Sequence, residues 1–359
     1  MKIIDKYILG RFLKIIAVSL LAFILIFVIV DLIENVDKYI DHNAPAFLVF
    51  LYYLYYIPFI IVLALPIAVL LSTMFTVGSL ARYHELEVMK ATGLSLYRLS
   101  APILIAGFCI SVAVMLFTEF VVVPANNMKD TVKNEKIEQR QSSEGRILRD
   151  VIKAGDKGWI VYARVYNERE EDADNVVIQQ ILDNQVKVAL KAKKMAWQDS
   201  TWLLFGVTRR VFEDDNEVEF NQYDSLFAGF LPQTPAVMKH RQKDPRDTRF
   251  FELLDRIKLK KLMKQDTAKD QVELYLKVSF PFFNFVIIIL GIPLAANPRR
   301  SGGSVGFGLS VIISFIYFVI LRAGNSLGYN HDLPPFLAAT IGNIIFLVIG
   351  SAMFLKARK

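Results

Sequence analysis

Apolar residues occur in six long runs, three before and three after a polar middle stretch. The runs cover about residues 15–33, 46–80, 101–123, 272–296, 305–327 and 336–355. A helix needs about 20 apolar residues to cross the hydrocarbon core of a bilayer, and lipid-exposed backbone cannot remain unpaired there. The pattern therefore predicts six membrane-spanning helices, arranged three plus three, with a separate polar domain outside the lipid.

The second run is longer than a membrane is thick. A continuous helix of about 35 residues would be roughly 50 Å long, so we expect it to tilt, to kink at Pro58 or Pro66, or to extend beyond the lipid. Four tyrosines lie near its outer end: Tyr52, Tyr53, Tyr55 and Tyr56. They fit an aromatic belt at the membrane interface, and a ligand cage is the alternative.

The period of the pattern changes to two in the middle stretch. Residues 185–193 alternate between apolar and mostly charged positions, which is typical of a strand with one wet face. Further strands are predicted at about 159–166, 176–182, 201–212 and 218–227, with turns at 183–184 and 214–216. We expect an antiparallel sandwich or open barrel.

These patterns divide the chain into three segments. Residues 1–128 comprise a short amphipathic helix over residues 1–14 on the inner membrane surface, the first three spans and a loop helix at about 80–95. Residues 129–265 form the β-domain and end in a connector helix that begins near Asp247 or Thr248. Residues 266–359 contain the last three spans. The predicted fold class is a six-span membrane α-helical protein with an inserted antiparallel β-domain.

Composition agrees with a membrane protein, because 54% of the residues are hydrophobic and the mean hydropathy is +0.38. The single cysteine, Cys109, lies within the third run, so the β-domain must fold without an intrachain disulfide. The first run is longer than a signal-peptide core and no A-x-A-like site follows it. We therefore expect a retained anchor.

Basic residues cluster at the ends of the apolar runs. The net charge of +7 could fit nucleic-acid binding, but these residues do not form one patch, so no nucleic acid is expected as a partner. The clusters consist of Lys2, Lys6, Arg11, Lys14, Arg82, Lys90, Arg98, Arg299, Arg300, Lys356, Arg358 and Lys359. The short loops on the other side, about 37–44 and 329–332, contain only Lys38. The positive-inside rule therefore places both termini in the cytoplasm and the middle domain outside it.

No catalytic motif is present in the sequence. There is no G-x-x-x-x-G-K-[ST] phosphate loop. His84 and Glu85 match the start of the H-E-x-x-H zinc-protease motif, but Val88 occupies the position of its second histidine. With four histidines and one cysteine, a zinc site is not expected. We predict a chain that is not an enzyme and binds no cofactor or metal of its own.

The loop between the second and third runs predicts a short helix that ends at Gly93. Leu86, Met89 and Lys90 would lie near one another on it, with Glu85 beside them. Such a helix suits docking into a groove on another protein. From the residues alone, however, there is a simpler interpretation than docking. The helix would be a solvated loop helix whose charges only mark the cytoplasmic side of the membrane.

Charged residues are few within the spans, which argues against an ion-coupled carrier and fits a lipid-like substrate. Arg322 lies near the outer end of the fifth run, where it is either functional or extends to the interface. Lys38, at the outer end of the first run, could meet an anionic lipid headgroup or remain solvated.

Three stretches resemble the LptF/LptG (YjgP/YjgQ) family of lipopolysaccharide export permeases. The first is Asp5-Lys6-Tyr7-Ile8, leading into Arg11-Phe12. The second is residues 85–93, with Glu, Met, Ala and Gly at the family's spacing. The third comprises residues 272–277, Pro281, residues 290–294 and residues 299–303. Together with the three-plus-three layout, they extend the resemblance over essentially the whole chain.

The resemblance implies a subunit of an ABC exporter in the inner membrane of a Gram-negative cell, with a jellyroll-like periplasmic domain. Its implied partners are a homologous LptF-like permease subunit, an LptB-like ATPase dimer that carries ATP and Mg²⁺, LptC- and LptA-like jellyroll proteins, lipopolysaccharide and membrane lipids. We favour the LptG-like subunit. Two departures from the family stand at Glu34, where some LptG chains carry a cation, and at residues 82–84.

The resemblance also implies roles for particular residues. It makes residues 80–95 the coupling helix that docks on the ATPase, with contacts from Arg82, Glu85, Leu86, Glu87, Met89 and Gly93. It makes the first and fifth spans lateral gates, which would place Lys38, Lys133, Lys136 and Arg322 along the substrate path. The alternative function is a membrane scaffold of an envelope complex that moves no substrate. A membrane-embedded enzyme is disfavoured because no catalytic cluster is present.

Overall fold

The computed structural model describes residues 3–137, 147–182, 185–213, 216–231, 234–239, 244–263, 265–296 and 303–357. The chain forms two compact units. The membrane unit comprises Met1–Glu138, Pro245–Lys258 and Asp266–Lys359, and the β-unit comprises Gln139–Asp244 and Leu259–Gln265. The predicted turn residues 183–184 and 214–215, and the basic residues Lys2, Arg299, Arg300, Arg358 and Lys359, lie outside the described residues.

Ten α-helices occur in the described parts of the chain. They are α1 (Ile3–Asp41), α2 (Ala46–Arg82), α3 (Glu85–Ala91), α4 (Leu96–Phe117), α5 (Val123–Thr131), α6 (Pro235–Lys239), α7 (Phe250–Leu262), α8 (Ala268–Ala295), α9 (Gly303–Tyr329) and α10 (Pro335–Lys356). A π-helical turn, Thr118–Val122, joins α4 to α5. Among the described residues, six helical segments are long and apolar enough to span a bilayer, so the three-plus-three prediction is confirmed.

The N-terminal segment is not a separate surface helix, so that part of the prediction is wrong. Residues 3–41 form one helix without a proline. Its N-terminal end packs through Ile8, Phe12 and Ile16, which lie on one face at a spacing of four residues. Because this face is buried against the other spans, the amphipathic pattern belongs to the first turns of the span itself.

The long second span remains one helix through Pro58 and Pro66. Its 37 residues would extend roughly 55 Å at the usual helical rise. Most residues from Ile60 to Ala81 are buried, and α2 contacts α1, α8 and α9. It therefore forms the centre of the membrane unit.

The last three spans are joined by aromatic packing and by hydrogen bonds inside the apolar region. Phe283 of α8 stacks on Tyr317 of α9, and Phe346 of α10 contacts both rings edge-on. The Tyr317 hydroxyl donates to Asn343 Oδ1 at 3.1 Å, and Asn343 Nδ2 donates to the Ser279 carbonyl oxygen at 2.6 Å. These bonds give the polar side chains partners where water is absent.

The β-unit contains one six-stranded antiparallel sheet. Its strands are β1 (Ile147–Ala154), β2 (Trp159–Asn167), β3 (Asp172–Leu182), β4 (Gln185–Gln198), β5 (Thr201–Glu213) and β6 (Asn216–Phe227), and they lie side by side in chain order. The fold class, six spans with an inserted antiparallel β-domain, is confirmed. The described strands share one sheet, which favours the open barrel over the two-sheet sandwich.

Both faces of the sheet carry apolar clusters. Val161, Ile178 and Leu190 belong to the larger cluster, which also buries Trp202. Ile160, Tyr162 and Ile152 lie on the opposite face, where Met263 packs on them. Because alternate residues of β2 enter different clusters, this strand is buried on both sides.

Candidate functional site

The loop between α2 and α4 contains the predicted short helix. His84, with a φ of 59°, precedes α3, and Gly93, with a φ of 86°, follows it. A positive φ is readily adopted by glycine because it has no Cβ. Gly93 therefore allows the chain to leave α3 and to enter α4 within a few residues.

The two faces of α3 differ sharply in exposure. Leu86 is 4% exposed and belongs to the apolar core of the membrane unit, and the half-buried Met89 packs against the same core. Tyr83 and Val88 are each 64% exposed. Arg82 and Glu87 are exposed as well. Leu86 and Met89, which the sequence proposed for docking, thus hold α3 in place. Val88 on the open face of α3 and Tyr83 just before the helix were missed.

Residues of the N-terminal motif contact the segment that carries α3. The Arg98 guanidinium donates to both carboxylate oxygens of Asp5, at 2.9 and 3.0 Å. The Tyr7 hydroxyl donates to Glu85 Oε2 at 3.3 Å, and Arg11 Nη1 donates to that hydroxyl at 3.4 Å. The structure therefore brings the first two resemblance motifs together.

The four cationic residues that were predicted along the substrate path lie on three helical elements, because Lys133 and Lys136 share the turn Val132–Ile137. Lys38 is exposed near the end of α1 and donates to Asn35 Oδ1 at 2.8 Å. Lys133 Nζ lies 5.9 Å from the centre of the Tyr52 ring. Arg322 is exposed on α9. Lys136 belongs to the helical turn Val132–Ile137, but its side chain lies outside the described residues.

Two of the four tyrosines of α2, Tyr52 and Tyr53, do not fit the expected aromatic belt. Tyr52 and Tyr53 are only 4% and 8% exposed, and they pack in a cluster with Val132 and Ile137. The Tyr53 hydroxyl donates to Asp31 Oδ2 at 2.9 Å. A belt would expose the rings to the interface, whereas here the rings pack between helices and Tyr53 finds its hydrogen-bond partner on α1.

Charged residues meet where the spans join the segment before α7. Arg246 Nε donates to Glu273 Oε1 at 2.8 Å, and the Tyr329 hydroxyl donates to the same oxygen. The bond to Glu273 raises the pKa of the Arg246 guanidinium, so this side chain stays charged. Asn126 Nδ2 donates to Asp247 Oδ1 at 2.9 Å. Residues 245–250 are thus attached to the third, fourth and fifth spans.

No group of three or more His, Cys, Asp or Glu side chains that could hold a metal occurs in the described parts of the chain. Cys109 is an exposed free thiol on α4. The arrangement offers exposed helix faces and cations at helix ends rather than a cluster of reactive groups.

Comparison with known proteins supplies the deciding observation. The model of the family "Lipopolysaccharide export system permease LptF/LptG" matches residues 6–356. The chain belongs to the LptF/LptG family. It is similar to the lipopolysaccharide export system permease proteins LptF of Escherichia coli strain K12 and of Shigella flexneri. Each is 22% identical over 362 residues, which cover 97% of this chain and 93% of the relative.

Membership confirms the resemblance that the three motifs carried. The chain is a multi-pass membrane protein of a lipopolysaccharide export permease family. The family model joins LptF and LptG. The preference for an LptG-like subunit therefore stays a prediction, although the relatives named above are LptF proteins.

Proposed function

We propose that this LptF/LptG-family chain is the non-catalytic transmembrane subunit of an ATP-driven exporter that extracts lipopolysaccharide from the inner membrane. The observation that carries the proposal is the geometry of α3. Leu86 anchors one face of this helix in the membrane unit, while Val88 is exposed on the other face and Tyr83 is exposed just before the helix. A short helix held in this way can transfer the motion of a docked protein to the spans around it.

The docked protein in this proposal is a separate LptB-like ATPase dimer, which carries ATP and Mg²⁺. This chain binds no cofactor. Glu87 adds charge to the exposed face of α3, Arg82 is exposed at the end of α2, and Glu85 is the first residue of α3. Leu86 and Met89 support the helix from beneath, and Gly93 sets its end. The positive-inside pattern places this loop and both termini in the cytoplasm and the β-unit in the periplasm.

The proposed substrate path runs beside the first and fifth spans, where a homologous permease subunit completes a cavity. Both helices expose large apolar side chains, including Leu25 and Ile29 on α1 and Phe315 and Val319 on α9. Acyl chains would contact such surfaces. Arg322, with Lys38 and Lys133 further out, would attract the phosphate groups of lipopolysaccharide.

The proposed outlet is the free edge of the sheet at β6. This strand pairs only with β5 among the described strands, and nearly all its residues are exposed, including Val218, Phe220 and Phe227. Soluble proteins usually protect such an edge with charges, proline or a cover. We propose that β6 pairs with an LptC- or LptA-like jellyroll protein by strand addition.

Co-purification with a tagged chain tests the coupling step. Glu85→Arg should reduce recovery of the ATPase and reduce export, while the second six-span chain is still recovered. Glu252→Arg, at an exposed carboxylate of α7, is the matched control. Normal ATPase recovery and normal export with Glu85→Arg would contradict the assignment.

Photocrosslinking separates an exporter from a scaffold that moves no substrate. A photoreactive residue at Leu25 or at Val319 should form adducts with lipopolysaccharide if these spans line the path. A scaffold should give adducts with phospholipid or protein alone. The same residue at Phe220 should capture a periplasmic jellyroll protein if β6 is the outlet.

A further inference from the structure

The first turn of α1 is attached to both ends of the segment that carries α3. Arg98, in the first turn of α4, forms two hydrogen bonds with the Asp5 carboxylate, and Tyr7 bonds to Glu85 at the start of α3. Asp5 and Arg98 are 93 positions apart in the chain. Any displacement of the segment from Glu85 to Arg98 therefore acts directly on the inner end of the first span.

The Asp5–Arg98 pair differs from an ordinary surface ion pair. Asp5 is 7% exposed, and the guanidinium contacts both of its oxygens at 2.9 and 3.0 Å. Exposed pairs with one contact contribute little, because water screens them and long side chains lose entropy. Two parallel hydrogen bonds from a guanidinium to a buried carboxylate fix both the distance between the two side chains and their orientation.

The first span is most closely packed along its N-terminal half. Ile8, Phe12 and Ile16 are buried, and Ser72 Oγ of α2 donates to the Phe12 carbonyl oxygen at 2.6 Å. Beyond Ser19, by contrast, large apolar side chains are exposed: Leu21, Leu25, Ile29 and Ile33 are 54–67% exposed. Asp31 in this second half still accepts a hydrogen bond from Tyr53 of α2. A helix is rigid over such a length, so motion imposed at its N-terminal end also moves this exposed half.

We propose that Asp5 and Arg98, assisted by Tyr7, are positioning residues that transmit movement of α3 to the first span during transport. The proposal rests on the proposed function, because it assumes that an ATPase moves α3. It assigns Asp5 and Tyr7 of the N-terminal motif a role in energy coupling. Neither Asp5 nor Arg98 contacts substrate or nucleotide in this proposal.

A role in folding alone is the competing explanation, and the two differ in what they change. If the ion pair only stabilises the fold, its loss lowers the yield or the melting temperature, while each assembled complex still exports the same amount of lipopolysaccharide per ATP. If the pair transmits motion, ATP is still hydrolysed but less lipopolysaccharide is released per ATP. The ratio of release to hydrolysis is therefore the measurement that separates them.

The experiment uses the complete exporter, purified with its ATPase and second permease subunit and reconstituted in proteoliposomes that contain lipopolysaccharide. Asp5→Asn and Arg98→Gln should each lower the ratio of release to hydrolysis about fivefold or more, the range of typical coupling between sites. Arg98→Lys, which keeps the charge but loses the two parallel hydrogen bonds, should lie between these variants and the unaltered chain. Lys6→Gln, at an exposed neighbouring residue, should leave the ratio unchanged.

An unchanged ratio in Asp5→Asn and in Arg98→Lys would overturn the inference, whatever happens to yield. If Arg98→Gln does not assemble, Arg98→Lys and Tyr7→Phe remain to decide the question through the same ratio. Absence of ATP-dependent release from the unaltered complex would instead refute the proposed function, and with it the inference. The two failures are thus distinguished by the unaltered chain.

Discussion

Glu119 Oε1 accepts a hydrogen bond at 2.7 Å from the backbone amide of Phe250, the first residue of α7. Its other oxygen lies 3.8 Å from Lys277 Nζ on α8. Glu119 stands in the π-helical turn between α4 and α5, and such turns commonly re-aim side chains at functional sites. One carboxylate therefore caps a helix that would otherwise begin with an unpaired amide, and it also neutralises a buried cation.

Glu119→Ala should destabilise the membrane unit. The substitution leaves the Phe250 amide without its acceptor and Lys277, whose side chain is 10% exposed, without its nearest carboxylate. We expect a loss of about 2 kcal/mol, as for other buried groups that lose a partner. Thermal unfolding of the full chain in detergent micelles measures it.

Two further variants sharpen this test. Adding Lys277→Met to Glu119→Ala should restore part of the stability, because an apolar side chain needs no counter-charge. Glu252→Ala, at an exposed carboxylate in the first turn of α7, should change stability by at most about 0.5 kcal/mol. Equal effects of Glu119→Ala and Glu252→Ala would contradict the capping role.

The six spans were predictable because each depends only on the length of an apolar run. The contacts at the ends of these helices were not, since residues such as Asp5 and Glu119 pair with partners that lie far away in the chain. Strand β1 was missed for a related reason. Its buried residues Val151 and Ile152 are adjacent and pack into clusters on opposite faces of the sheet. Because both faces of the strand are buried there, apolar and polar residues do not alternate along it.

Leu86 and Val88 should respond to substitution in opposite ways. Leu86→Ala removes a side chain that is 4% exposed and should cost about 3 kcal/mol of stability. Val88→Asp changes a side chain that is 64% exposed and should leave stability within about 0.5 kcal/mol of the original. Instead, it should reduce co-purification of the ATPase. Melting temperature and ATPase recovery, measured together on both variants, check this prediction.

The residues of α3 do not by themselves predict which side of the helix packs against the protein. Glu85, Leu86 and Met89 show that a short helix is present, but the side that faces the protein depends on how the chain turns at His84 and Gly93. The Asp5–Arg98 pair gives no local signal either, because its members are separated by 93 positions. Resemblance pointed to α3 as a candidate site, and only the three-dimensional arrangement separated its anchoring face from its open face.

Gly324 and Gly308 offer a matched pair on α9. A Cβ at Gly324 would lie 2.7 Å from the Ala338 carbonyl oxygen and 2.9 Å from Ile341 Cγ2, whereas nothing lies within 4 Å of one at Gly308. Gly324→Ala should therefore push α9 from α10 and cost about 1–3 kcal/mol. Gly308→Ala should be neutral or stabilise by up to about 1 kcal/mol, because alanine favours the helix. A melting temperature that falls equally in both variants would contradict close packing at Gly324.

The β-unit should lose stability in alkaline solution through its buried tyrosines. The Tyr162 hydroxyl donates to Asp150 Oδ1 at 2.6 Å, and burial, followed by this bond, raises the pKa of Tyr162 above its ordinary value of 10.0. Burial raises the pKa of Tyr166 as well. At a pH between the ordinary and the raised pKa, these two tyrosines lose their protons in the unfolded chain but keep them in the folded chain. Stability is thus complete below about pH 10 and falls as the pH rises further.

Fluorescence can follow this loss in the full chain, because all three tryptophans, Trp159, Trp197 and Trp202, belong to the β-unit. The melting temperature reported by their emission should fall between pH 8 and pH 11. Tyr162→Phe should lower it somewhat at pH 8, since Asp150 loses a donor, but should make the alkaline fall smaller, since a titrating group is gone.

Tyr223→Phe, at an exposed position of β6, is the matched control and should keep the full alkaline fall. The Lys194–Asp172 ion pair also loses its contribution as the pH rises, because Asp172 raises the pKa of Lys194. That pair is present in both tyrosine variants, so it does not affect the difference between them. If the melting temperatures of Tyr162→Phe and Tyr223→Phe fall by the same amount between pH 8 and pH 11, the buried hydroxyl of Tyr162 is not what makes the β-unit sensitive to alkali.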